Sequence, residues 1–236
     1  MILISQVVLA TPELSSYPFY RDSGSFLELY TVSQQVKHSG FERKRLALGA
    51  RERWLSLEYI EREDNRDNRP DYFAKGARLG LYTPYLAGLQ VGGYLSALQG
   101  SHHQESNPKL GDVLSVDLNL NWQRQDFSSR LTLEDIWLKQ RKTNQLQATE
   151  LISPTLRFEA QYRFGHFQPS VGAWHYQEQL FPQVKMAYWL GAMQQLGLGY
   201  EFNSNRPIFS YGLYDYRGHL AMVLGNQVGI NAAYAF

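Results

Sequence analysis

Apolar and polar residues alternate along most of this chain, most cleanly at its end. Leu220, Met222, Leu224, Val228, Ile230, Ala232, Tyr234 and Phe236 form one face, broken only by Asn226. Between them stand His219, Ala221, Val223, Gly225, Gln227, Gly229, Asn231, Ala233 and Ala235, most of them small. Successive side chains of a strand point to opposite faces, so a period of two reads as a two-faced strand. Two other segments repeat the pattern. Leu114, Val116, Leu118, Leu120 and Trp122 alternate with Ser115, Asp117, Asn119 and Asn121. Leu156, Phe158, Ala160, Tyr162 and Phe164 alternate with Arg157, Glu159, Gln161 and Arg163. A soluble sandwich also contains such strands. Here nearly every segment is two-faced and helical periodicity is missing throughout, which is the pattern of a transmembrane β-barrel with one face in lipid and the other on a polar interior.

The spacing predicts an all-β, antiparallel barrel of about twelve strands, over residues 25–37, 41–49, 52–61, 74–83, 86–98, 113–123, 128–139, 152–164, 167–178, 184–202, 207–214 and 219–236. Ten is the alternative count. Long polar connections at 61–73, 99–112 and 139–150 alternate with short ones at 49–52, 83–85, 123–127, 165–167 and 203–206. Long outer loops and short periplasmic turns are the arrangement of outer-membrane barrels.

Composition changes this picture little. A chain of 236 residues suits one domain. Mean hydropathy is −0.40, and no apolar run is long enough for a transmembrane helix. A barrel passes unnoticed by that test because only alternate residues meet lipid. Aromatics make up 14% of the chain, led by 16 Tyr. Trp122, Phe127, Tyr162, Phe164, Phe167, Phe202, Tyr234 and Phe236 fall near the short-turn ends of their strands, where an interfacial girdle would lie. Cysteine is absent, which excludes disulfides, thiolate nucleophiles and Cys-based zinc sites. A net charge of +1 gives no basic field of the kind nucleic acid attracts.

A last strand that runs to a terminal aromatic, Phe236, resembles the C-terminal signature of bacterial outer-membrane β-barrel proteins. The resemblance implies residence in the outer membrane, contact with its lipid and lipopolysaccharide, and recognition of the last strand by the barrel-assembly machinery. In outline the chain is also similar to small twelve-stranded oligogalacturonate-type porins with an arginine-lined lumen. Residues 25–236 are assigned to the barrel and 1–24 to an N-terminal segment. Its first ten residues, MILISQVVLA, read as a signal-peptide remnant or a short lead. The stretch TPELSSYPFYRDSG after them reads as a periplasmic handle, a plug or a plain lead into the first strand.

The same alternation assigns Arg43, Arg45, Glu58, Arg78, Asp117, Arg130, Glu134, Arg157, Glu159, Arg163, Lys185 and Glu201 to the interior. Charge there requires water or a partner. Arg presents a fixed fork suited to carboxylate, sulfate or phosphate. Arg130, Arg157 and Arg163 lie on neighbouring strands and, with Arg78, Glu134, Glu159 and Lys185, are the candidate solute-contacting residues. One reading is a narrow channel for small, anionic solutes. The other is that Glu134 and Glu159 neutralise the arginines and the network braces the wall. Behind the channel stand two further classes: a structural barrel of an export or assembly complex, and a lipid-modifying enzyme. The enzyme reading has only Ser101, His102 and His103 in one loop, with Asp112 at its end, and neither G-x-S-x-G nor H-E-x-x-H occurs. The tandem His has no third ligand at diagnostic spacing, and the acidic-basic loop EREDNRDNRPD lacks calcium-loop spacing. No cofactor is expected.

Overall fold

The computed structural model describes residues 23–36, 39–52, 54–66, 72–102, 109–140, 154–176, 179–203, 205–214, 218–225 and 227–235. Fourteen strands run through them: β1 (Ser23–Val36), β2 (Ser39–Glu52), β3 (Leu55–Arg66), β4 (Tyr72–Tyr82), β5 (Leu89–His102), β6 (Lys109–Arg124), β7 (Phe127–Gln140), β8 (Thr155–Tyr162), β9 (Phe167–Tyr176), β10 (Gln179–Leu190), β11 (Gln194–Glu201), β12 (Arg206–Tyr214), β13 (Gly218–Leu224) and β14 (Gln227–Ala235). Each pairs antiparallel with its neighbours in sequence, and β1 closes the sheet on β14 from Phe26↔Ala235 to Gln34↔Gln227. Closure leaves no unpaired strand edge, a condition for crossing a bilayer with strands.

The predicted period is the observed one. On β3, Leu55, Leu57 and Tyr59 face out while Ser56, Glu58 and Ile60 are buried inside. On β6, Leu118, Leu120 and Trp122 face out while Asp117, Asn119 and Asn121 are buried. Most polar residues of these strands are inside and most large apolar ones outside, the reverse of a soluble protein. The outer band is bordered at one end by charge. Glu61 stands opposite Lys75, Lys44 Nζ lies 3.8 Å from Glu63 Oε2, and the Tyr59 hydroxyl donates to Glu61 at 2.7 Å. At the other end lie outward aromatics that touch one another. The Trp122 and Phe127 rings are 5.3 Å apart, Phe164 and Phe167 5.7 Å, and Phe167 and Tyr188 5.2 Å. This is the expected interfacial girdle.

Ten predicted strands match ten observed ones. The other two divide. Residues 184–202 turn at Gly191–Met193 to give β10 and β11, and 219–236 divide into β13 and β14 around 225–226. The count therefore stays even but rises to fourteen. Both breaks conserve the parity of the flanking residues, so Leu190, Leu196 and Leu198 all face out, and the alternation runs on across the turn.

Three positions differ from their expected places. The short connections 53–54, 83–88, 125–126, 163–166, 191–193 and 215–217 share one end, here the turn end. Connection 202–205 lies at the opposite, loop end, so Phe202 is not part of the turn-end girdle. Its ring instead meets Tyr200 at 5.4 Å. His219 begins the expected strand 219–236, whose other end is the girdle at Phe236; at the start of β13 it sits instead at the turn end. The third change is at β3, which runs to Arg66, well into the expected loop 61–73. Arg62 is therefore a buried, inward wall residue and not a loop residue. Of the N-terminal segment 1–24, residues 1–22 lie outside the described residues, as does Phe236, while Ser23 and Gly24 begin β1.

Candidate functional site

In a barrel with an apolar outer band, selective chemistry belongs to the lumen. The inner wall divides into two sectors of different character. Across β3 to β6 it is densely packed. Arg78 and Glu58 are direct cross-strand partners, and Arg78 Nε donates to Glu58 Oε2 at 2.7 Å. A second contact joins Arg78 Nη2 to the same oxygen, and Ser56 Oγ donates to Glu58 Oε1 at 2.9 Å. The guanidinium lies 4.4 Å from the Tyr94 ring centre, a cation–π geometry. Tyr94 packs edge-on against Tyr82 with centroids 5.6 Å apart, and their hydroxyls meet. Room for these rings comes from glycine. A Cβ on Gly80 would lie 2.8 Å from Tyr94 Cε1, and one on Gly92 would lie 2.7 Å from Tyr82 Cδ1.

The second buried cluster is centred on β7. Its ladder with β6 shifts register between Val116 and Leu118, where two extra β7 residues are accommodated. Asp135 occupies this bulge with φ of 55°, a conformation that Asp tolerates better than most residues. Its backbone N–H donates to Asp117 Oδ1 at 2.8 Å, and Ser115 Oγ donates to Asp135 Oδ1 at 3.0 Å. Arg62 Nη1 lies 2.8 Å from Asp135 Oδ2 and donates to Oδ1 at 3.0 Å.

On β7 and β8 part of the inner wall is more open, while most inward side chains of β9 to β11 are buried. Ser128, Arg130, Arg157, Glu159, Gln161, Arg163 and Lys185 are half-buried, whereas Arg78 and Glu58 keep only 1% and 2% of their surface. Register sets the order of charge here. Arg130 is opposite Glu159, Thr132 is opposite Arg157, and Glu134, which is buried, is opposite Thr155. Acid and base thus interleave along β7 and β8. Arg130 Nε also donates to Asn121 Oδ1 at 3.2 Å. Lys185 lies over Gly199, where a Cβ would meet its Cβ at 3.2 Å.

The turn end of this sector is ringed by amides and aromatics. Trp189 Nε1 donates to Gln168 Oε1 at 2.7 Å, Gln195 Nε2 donates to the same oxygen at 3.3 Å, and the Tyr214 hydroxyl donates to Gln195 Oε1 at 3.4 Å. The Arg163 guanidinium lies 4.8 Å from the Trp189 ring centre. Trp174 and Phe181, both buried, stack at 4.6 Å nearer the loop end.

All the described residues expected inside are inside. Arg78, Arg130, Glu134, Arg157, Glu159, Arg163 and Lys185 all lie on the inner face, but Arg78 and Glu134 are enclosed and the others are not. Nothing is described of the Arg43 and Arg45 side chains. His103 lies outside the described residues, as does the acidic loop at 67–71, and the Ser101, His102 and Asp112 side chains are likewise undescribed. Sequence reasoning missed Arg62 and Asp135. One signal was available for the second. In an unbroken strand Asp135 would face lipid beside Leu131, Leu133 and Trp137, a costly place for a carboxylate.

Closed antiparallel topology, an apolar band bordered by an aromatic girdle and a charged rim, and a polar interior define a transmembrane β-barrel of the outer-membrane class. That surface fits the outer membrane and its lipid. No protein-family model matches the chain, and no curated protein matches it. Among solved structures it is similar to the KdgM porin, at 11% identity and a TM-score of 0.47, over 89% of this chain and 99% of that one. It is similar to the outer membrane protein Omp33 of Acinetobacter baumannii, at 10% identity and a TM-score of 0.44, over 91% and 99% of the two chains. It is also similar to outer membrane phospholipase A of Escherichia coli, at 10% identity and a TM-score of 0.41, over 89% and 92%.

Proposed function

We propose that this barrel is a narrow outer-membrane channel for small polar solutes, with a preference for anions. The observation that carries the reading is the half-buried stretch of inner wall on β7 and β8. Among the described residues it carries Arg130, Arg157 and Arg163, joined by Lys185 on β10, with Glu159 also at the accessible surface and Glu134 and Glu201 buried. Fourteen strands lie between the eight that side chains fill and the sixteen that leave a wide channel. With β3 to β6 densely packed, the passage is eccentric and runs along the charged wall. Glu159 opposite Arg130 moderates the positive field, so the preference is for anions over cations and not for tight capture of one anion. Arg side chains favour carboxylate or sulfate groups on the solute.

The test is swelling of liposomes containing the purified barrel in isosmotic solutes. Faster entry of small sugar acids than of neutral sugars of equal size is the expected result. Equal rates would remove the anion preference, and no swelling with any solute would remove the channel.

A further inference from the structure

We infer that the ion pair between Arg62 and Asp135 is a strut across the lumen that holds one sector of the barrel shut and so sets the width of the passage. The inference rests on the channel reading above. Arg62 is on β3 and Asp135 on β7, and β4, β5 and β6 stand between them in the wall. A contact of 2.8 Å between residues four strands apart cannot run along the sheet, whose neighbouring strands are about 4.8 Å apart. It crosses the interior.

Three features of the wall serve this crossing. First, several inward residues near its path are small, and the larger Leu98 and Val113 lie between them. Ala74 is opposite Arg62, Gly76 is opposite Ile60 one step along, and Ser96 is opposite Ser115 on the next pair of strands. Ala74, Ser96 and Ser115 are all buried. A large side chain there would block a guanidinium from reaching β7. Second, the bulge in β7 takes Asp135 off the lipid face and turns it inward, and the Asp117 and Ser115 contacts fix its direction. Third, the sector beneath is filled by the Glu58, Arg78, Tyr94 and Tyr82 stack. The strut closes the loop-end half of a sector whose middle is already packed. What remains for solute is the side lined by β7 and β8.

A bulge at a positive φ and a buried pair of opposite charges are both costly features. Bracing of neighbouring strands needs neither, since ladder hydrogen bonds already join them. A strut that crosses the lumen is a use that wall bracing does not explain.

The experiment compares single-channel conductance of the full chain with that of Arg62→Gln, Asp135→Gly and the double variant. Glycine keeps the positive φ at 135. Folding is checked by the shift in gel mobility between unheated and boiled barrel. Each single variant is expected to raise conductance by about half to twofold, as the closed sector joins the passage, and the double variant is expected to match them without a further rise. The double variant leaves neither charge buried without its partner, so its conductance decides the matter if a single variant fails to fold. A conducting wild type with unchanged variants overturns the strut and leaves the channel reading standing. A silent wild type with a conducting double variant supports the strut and overturns the channel reading for the native barrel. Silence from every form overturns both.

Discussion

Arg78 and Glu58 face each other across β3 and β4, with both side chains almost fully withdrawn from solvent and the guanidinium laid over Tyr94. Such a pair adds little over an apolar pair of the same volume, but removing one partner strands a buried charge. Arg78→Met should therefore lower stability by about 3–5 kcal/mol. Arg78→Met combined with Glu58→Leu should lower it by less than half as much. Urea-induced unfolding from lipid vesicles measures both, and equal losses in the single and double variants would show that the charges are not coupled.

The two tyrosines beside this pair are admitted by glycine. Gly80 would place a Cβ 2.8 Å from Tyr94 Cε1 and 3.0 Å from the Tyr82 hydroxyl, with Ser56 Oγ closer still. Gly80→Ala gains a little by restricting the unfolded chain but must displace a packed ring. The expected net change is a loss of about 1 kcal/mol, read from the same urea midpoint. A stabilised variant would mean that the tyrosines move aside freely.

The outer band has a depth scale that can be read by charge. Leu118 is an exposed outward residue within the band, whereas Lys75 lies on its charged border. Leu118→Arg should cost about 2–4 kcal/mol in lipid, and Ala77→Arg, one outward step along β4 from Lys75, no more than about 1 kcal/mol. Equal costs would show that the border is misplaced.

Much of this barrel could be read from the sequence because lipid outside and polar groups inside impose a period of two that no turn interrupts for long. The strands around Leu118 and Phe158 were legible for that reason, and so was the inward direction of Arg78, Arg130 and Arg157. The count was less legible. The connection between β10 and β11 is Gly191-Ala192-Met193 in the run WLGAMQQL, with no Pro, Asn or Asp to mark it. Only Gly191, at φ 72°, carries the turn. At 225–226 a Gly-Asn pair did mark a hairpin, but Leu224 and Val228 keep one parity across it. The strut was not legible at all. Arg62 lay in a stretch dense with charge that reads as a loop, and the direction of Asp135 depends on a bulge. Register shifts follow from pairing between strands, which no single strand's pattern contains.

Arg157 tests the wall. It is half-buried on β8, opposite Thr132 and flanked along its own inner face by Glu159. Arg157→Glu changes the local charge by two and should shift the reversal potential in a salt gradient toward cation preference. The shift should shrink as salt is raised, since mobile ions screen the wall over about 10 Å at 0.1 M. An unchanged reversal potential at low salt would mean that solute does not pass this side of the lumen.

The central claim is an open passage along β7 and β8 whose accessible wall carries more positive than negative charge. Current through the purified full-length barrel in a planar bilayer, under a gradient of potassium chloride, tests it most directly. The proposed channel predicts a steady conductance with a reversal potential on the chloride side. A barrel that inserts and folds but passes no current, or passes potassium in preference to chloride, would contradict it.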